Sequence, residues 1–230
     1  MSARPGTGRL VAWAAIVGIL AALGYVGRFT GGKLPKEPLY RWDQFVGGLT
    51  QFVILLGLML LVARGLPKRE AFALRRPDSR GRAAAIALGT AIVILVVSAV
   101  LDPLLHPDKE QGLSPTRWEP AHAGAFAANF VVVALIAPLV EELTFRGLGF
   151  TLLERFGRPV AIVVVGIAFG LAHGLVEALP PLVVFGMCLA YLRSRTRSVY
   201  PGLILHALYN TVVLLVAVKF FHTGALNFLA

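Results

Sequence analysis

The stretch AGAFAANFVVVALIAPLVEELTFRGLGFTLL, residues 123–153, reads as one long membrane helix that carries Glu141, Glu142 and Arg146 in its interior. A carboxylate at bilayer depth costs a few kcal/mol or more, and such residues persist where they face protein or a wet cavity and have a partner. Two later apolar stretches each hold one interior histidine: FGLAHG with His173, and HALYN with His206 and Asn210. Two glutamates, an arginine, two histidines and an asparagine on three membrane helices are the parts of a hydrolytic site. A buried ion pair that only fixes helix packing accounts for one carboxylate, not two.

Composition agrees with this reading. The chain is 57% hydrophobic and 15% charged, where a soluble domain is about a quarter charged. Several apolar runs approach the roughly 20 residues that cross a bilayer, and the alternation of a membrane β-barrel is missing. The fold class is therefore all-α, a polytopic membrane helix bundle of about seven transmembrane helices with a buried polar site. The spans fall at about 10–27, 45–63, 83–101, 123–153, 160–179, 181–196 and 199–218. The fourth is long enough to tilt, and the sixth is short and opens at Pro180-Pro181. Residues 10–27 read as a retained helix, since no A-x-A cleavage site follows them. Three parts result: N-terminal helices with a basic loop (1–122), a catalytic core (123–218) and a tail (219–230).

The net charge of +10 follows from the positive-inside rule and does not point to nucleic acid, for no basic run interleaved with aromatics is present. The loop 64–82 carries Arg64, Lys68, Arg69, Arg75, Arg76, Arg80 and Arg82 against Glu70 and Asp78. It belongs in the cytoplasm, with Arg4, Arg9, Arg155, Arg158, Arg193, Arg195 and Arg197 on the same side. Asp102, Asp108, Glu110 and Glu119 fall on the other side, with Lys109 and Arg117. The loop 28–44 runs against this bias, with Arg28, Lys33, Lys36 and Arg41 beside Glu37 and Asp43. The balance places the N-terminus in the cytoplasm and the C-terminus outside. Arg75-Arg76-Pro77 is expected at the surface, against anionic headgroups. Tyr40, Trp42 and Trp118 are expected as interfacial anchors.

Helix arithmetic at about 1.5 Å per residue brings Glu141, His173, His206 and Asn210 into one slab about 10 Å thick. Glu142 and Arg146 are four apart and can pair, as are His206 and Asn210, while Glu141 points about 100° away toward a cavity. Phe169, His173 and Glu177 form a further stripe, with Glu177 either orienting His173 or meeting headgroup water. Gly166, Gly170 and Gly174 repeat at four on a neighbouring face and invite a close helix. His106, His122 and His222 are expected to be solvated, and Cys188, the single cysteine, to be a packing residue.

Peptide hydrolysis needs a base for water and donors for the oxyanion. Glu141 suits the first role, as a carboxylate withdrawn from water is the stronger base, with His173 orienting the same water. His206 and Asn210 suit the second, and Glu142 with Arg146 would support both. Glutamate with two histidines is also a ligand set for catalytic zinc, so Glu141, His173 and His206 stand as an alternative metal site; the residue list leaves the two open.

EELTFR at 141–146 resembles the EExxxR signature of the CAAX protease and bacteriocin-processing (CPBP, or Abi) intramembrane proteases. FGLAH at 169–173 is similar to the family's FxxxH, and HALYN at 206–210 to its HxxxN/D. The resemblance covers roughly residues 123–215 and implies a multi-helix intramembrane endopeptidase reached from the cytosol or the bilayer. Members like the eukaryotic prenyl-protein enzyme remove three residues after a lipidated cysteine. By the same resemblance Glu141 and His173 activate water, and His206 and Asn210 form the oxyanion hole. The favoured reading has no cofactor, with zinc as the alternative of a family often labelled metalloprotease. The Ala/Gly/Val/Arg-rich composition points to the cytoplasmic membrane of a GC-rich bacterium, hence to bacteriocin-type or signalling peptides and membrane proteins as substrates. Two rival readings are a proton-coupled transporter or channel, since Glu/His chains also relay protons, and a non-catalytic scaffold or immunity protein.

Overall fold

Long apolar runs build the first helices of the computed structural model, which describes residues 6–31, 37–105, 110, 115 and 118–222, without the side chains of 218–222. The expectations for Arg4, Lys33, Lys36, His106, Asp108, Lys109, Arg117 and the end of the tail lie outside the described residues, as does the side chain of His222. Helix α1 covers Thr7–Thr30, α2 Trp42–Val62, the short α3 Lys68–Ala71, and α4 Arg80–Leu105. Helix α5 is continuous over Pro120–Phe156, followed by α6 Arg158–Ala172, α7 Leu179–Thr196 and α8 Tyr200–His222. No strand occurs among the described residues. The all-helical membrane bundle expected from composition is what forms, and the chain is an integral membrane protein.

Among the described residues five helices are long and apolar enough to cross a bilayer: α1, α2, α4, α5 and α8. Helix α5, at 37 residues, would be roughly 55 Å long as an ideal helix, well over the ~30 Å hydrocarbon core. The apolar segment expected at 160–179 is interrupted. Helix α6 has 15 residues and stops at Ala172, because the chain turns at Gly174 with φ +63°, a left-handed conformation that glycine adopts without penalty. Gly174 also lies against the backbone of Gly24 in α1, where a Cβ on Gly24 would come within 3.0 Å of its Cα. Glu177 is therefore off the helix and exposed, and the Phe169–His173–Glu177 stripe does not form.

A carboxylate organises that turn. Glu110 accepts the N–H groups of Val176 and Ala178, each at 2.8 Å, and pairs with Arg28. Tyr25 adds a hydrogen bond from its hydroxyl to Leu175 O at 2.9 Å. After it, α7 returns along α6 at close range. A Cβ on Gly166 would lie 2.8 Å from Met187 N, one on Gly170 2.6 Å from Val183 Cγ2, and one on Gly186 2.8 Å from Gly166 O. The glycine row thus serves helix approach, with its third member at the turn.

The basic ends of the helices gather at one face. Arg9 donates to Arg64 O at 3.1 Å, Arg75 to Arg197 O at 2.7 Å, and Arg155 to Thr7 Oγ1 at 3.4 Å. Lys68 caps the end of α2 through Leu60 O and Ala63 O. In the α2–α4 connection Arg75 and Arg76 are exposed, whereas Ala71, Phe72 and Ala73 are buried and Ala73 O accepts Val199 N–H at 3.2 Å. At the opposite end Tyr40 is buried against Trp118 and Phe126, so it packs inside an aromatic cluster and does not anchor at the interface; Trp42 is exposed. His122 is more than half exposed, beside Glu119 at 2.9 Å.

Gly186→Ala should lower the thermal midpoint in detergent, by a loss of about 1–3 kcal/mol from overpacking. Gly18→Ala, where a Cβ meets nothing within 4 Å, should leave the midpoint unchanged; a scan of both variants checks this.

Candidate active site

Helix α5 widens twice into π-helical turns, at Val132–Ile136 and Glu142–Gly149. Wider turns shift the backbone ladder, leave carbonyls able to take outside donors, and recur at functional sites. Here side chains supply the donors. Asn210 donates to Val133 O at 2.9 Å, Trp13 Nε1 to Thr144 O at 3.0 Å, and Arg193 Nε to Arg146 O at 3.1 Å.

The second widened turn carries the charges. Glu142 and Arg146 are both completely buried, with Arg146 Nη1 2.9 Å from Glu142 Oε1. Arg146 also donates to Gly186 O at 3.2 Å and lies over the Phe169 ring, 4.2 Å from its centroid. The second Glu142 oxygen faces Gly202 of α8, where a Cβ would come within 2.7 Å. Only glycine lets α8 approach so close. His206, one turn further along α8, places Nδ1 3.2 Å from Glu142 Oε1. A carboxylate accepts, so Nδ1 carries the hydrogen and Nε2 is turned elsewhere.

Nε2 of His206 points at Glu141, 3.7 Å from Oε2. Nε2 of His173 lies 3.9 Å from Oε1 of the same carboxylate. His173 is fixed by Nδ1, which donates to Phe169 O at 2.8 Å, so this ring also presents Nε2 to Glu141. Both gaps exceed a direct hydrogen bond and are of the size a bridging water spans. Phe169 and Phe185 flank the imidazoles, edge-on to His206 at 5.9 and 4.9 Å between ring centres. Glu141, His173, His206 and Asn210 line a single cavity of about 340 Å³, whose other walls include Phe52, Ile94, Ser98, Ala137, Leu182 and Tyr209.

All six residues singled out in the sequence thus sit at one place, in two groups. Glu141, His173, His206 and Asn210 face the cavity, while Glu142 and Arg146 lie behind it and hold His206. One N–H of Asn210 is committed to Val133 O, which leaves its amide one further donor. The arrangement tests the zinc alternative too. Tetrahedral zinc with bonds of about 2.0–2.1 Å brings its ligand atoms to about 3.3 Å of one another. The Glu141 contacts are longer, and among the described residues no group of three such side chains is disposed to hold a metal ion.

Residues 123–212 match the family model described as "Type II CAAX prenyl endopeptidase Rce1-like". The likeness is confined to that stretch. The matched part includes all three motifs and all six site residues, and it bears out the resemblance read from EELTFR, FGLAH and HALYN. What the matched stretch is similar to is a family of CAAX-type endopeptidases. No curated protein and no solved structure matches the chain.

Three supporting residues escaped the sequence reading. Arg193 looked like a loop charge but is buried in α7 and holds a carbonyl of the Rce1-like core. Trp13 and Phe72 looked like ordinary apolar residues, and no local pattern marks their long-range packing.

Arg146→Ala should cost roughly 3–5 kcal/mol, since it leaves Glu142 buried without its countercharge. The measurement is a chemical or thermal unfolding midpoint in detergent, with Glu154→Ala, a partner in an exposed pair with Arg158, as the near-neutral comparison.

Proposed function

We propose that the chain is a glutamate-dependent intramembrane endopeptidase acting on a membrane-embedded or lipidated peptide, without a metal ion. The observation that supports this is the Glu141 carboxylate between Nε2 of His173 and Nε2 of His206 at the inner end of the cavity. A substrate water between Glu141 and His173 would give one hydrogen bond to each and present its lone pair to the scissile carbonyl. Glu141 takes the proton as the water oxygen bonds to carbon, and the carbonyl oxygen becomes an oxyanion. The free N–H of Asn210 and the imidazole of His206 stabilise that charge, with Glu142 holding the ring through Nδ1. Glu141 then returns the proton to the leaving nitrogen, the C–N bond breaks, and an acid and an amine are released. His173 keeps its water-accepting tautomer because Nδ1 is held by Phe169 O.

We place the protein in a bacterial cytoplasmic membrane with its N-terminus inside, as the charge bias supports. A bacterial setting favours bacteriocin-type or signalling peptides over prenylated proteins. The proton-relay alternative needs a polar path beyond Glu142 and Arg146, where Phe72, Leu148 and Val199 are buried and apolar.

Glu141→Gln should abolish cleavage of a substrate found by comparing the membrane proteomes of wild-type and variant cells, with insertion and expression unchanged. Retained cleavage removes Glu141 as the base. Loss of wild-type cleavage on chelation, restored by zinc, would favour the metal mechanism, and Glu141-dependent proton flux in liposomes would favour the transporter.

A further inference from the structure

The cavity is placed asymmetrically in the bundle. On α5 its lining residues run from Glu141 back toward the Pro120 end, through Ala137 and Val133. On α4 they run from Ile94 through Ser98 to Asp102, toward the end remote from Arg80. On α8 they run from His206 to Leu214, away from Tyr200. Each helix therefore contributes the half that points away from the gathered basic ends. Asp102, at the far limit on α4, and Val213, near it on α8, are exposed, while Leu214 is buried.

Toward the basic face the site is shut. Arg146, Gly147 and Leu148 are buried, and Phe72 is wedged against Gly147 so closely that a Cβ there would lie 3.1 Å from Phe72 Cα. Val199, 1% exposed, is hydrogen-bonded to Ala73 behind it.

The charge distribution assigns the two faces. The cations of the loop at 28–44 that ran against the positive-inside bias are paired where the structure describes them: Arg28 with Glu110, and Arg41 with Asp43 at 2.7 Å. The segments 64–82, 155–158 and 193–197 carry far more positive than negative charge. The basic, closed face is the cytoplasmic one.

We infer that the peptide enters from the face bearing Asp102, so that its scissile bond approaches Glu141 from the non-cytoplasmic leaflet. The substrate class is then a membrane-anchored peptide with its cleavage site in or beside the outer half of the bilayer. What enters rests on the peptidase reading; which face is open does not.

The test is a cysteine-access experiment in a Cys188→Ala background, using a charged, membrane-impermeant methanethiosulfonate on intact cells and on inside-out vesicles. Ala137→Cys and Val213→Cys report on the cavity, Asp102→Cys on one face, and Arg76→Cys on the other. Both cavity cysteines should react from outside, as Asp102→Cys does, at least about tenfold faster than from the vesicle side, since the charged reagent does not cross the bilayer. Faster reaction from the side that labels Arg76→Cys, or none from either side, overturns the entry route. Labelling of Arg76→Cys in intact cells overturns the leaflet. These outcomes are independent of whether Glu141→Gln retains cleavage, so failure of the route and failure of the peptidase reading are separately visible.

Discussion

The buried ion pair between Glu142 and Arg146 is the constraint on which the rest of the site depends. Both groups are wholly excluded from solvent, and ions in that setting are tolerable only with each other and with further hydrogen bonds. The structure provides part of these, Gly186 O and the Phe169 face for the guanidinium and Nδ1 of His206 for the carboxylate, while Arg146 Nε and Glu142 Oε2 have no hydrogen-bond partner among the described residues. Each partner comes from a different helix, so satisfying the pair draws α6, α7 and α8 onto α5. The close approaches at Gly186 and Gly202 follow from the same demand. The pair orients the histidine that faces Glu141, and so acts on the cavity while standing outside it.

Helix α5 meets this demand by departing from regular α geometry. Its two widened turns rotate the residues that follow and leave carbonyls to be answered by Asn210, Trp13 and Arg193. Asn210 has two jobs under this view: one amide hydrogen secures the α5 backbone, and the other is available to a reacting group. In the proposed mechanism, rigidity of the cavity wall and chemistry at its surface share one side chain.

Much of this was legible in the sequence because charged residues in an apolar run admit few explanations. Glu141, Glu142, Arg146, His173, His206 and Asn210 were named from burial cost and helical spacing, and the structure brings them together. The break in the apolar segment at 160–179 was not legible. It depends on the left-handed turn at Gly174 and on Glu110, a carboxylate that sequence alone assigned to a solvent loop. Tyr40 and Arg193 were misread for a related cause: amphipathic and charged residues are expected at boundaries, and burial among distant partners leaves no local trace. Helix spacing also cannot reveal π turns, since a shifted ladder preserves the same letters.

Two bare glycines of the Rce1-like core are each filled by an aromatic from the preceding helices. Phe72 occupies the space beside Gly147, and Trp13 that beside Gly149, where a Cβ would lie 2.7 Å from the indole Cε2. The N-terminal part of the chain is thereby keyed in shape to the stretch it packs against. Growth of either glycine must be matched by shrinkage of its ring, so these pairs should drift together among descendants of this sequence even where the first helices otherwise diverge.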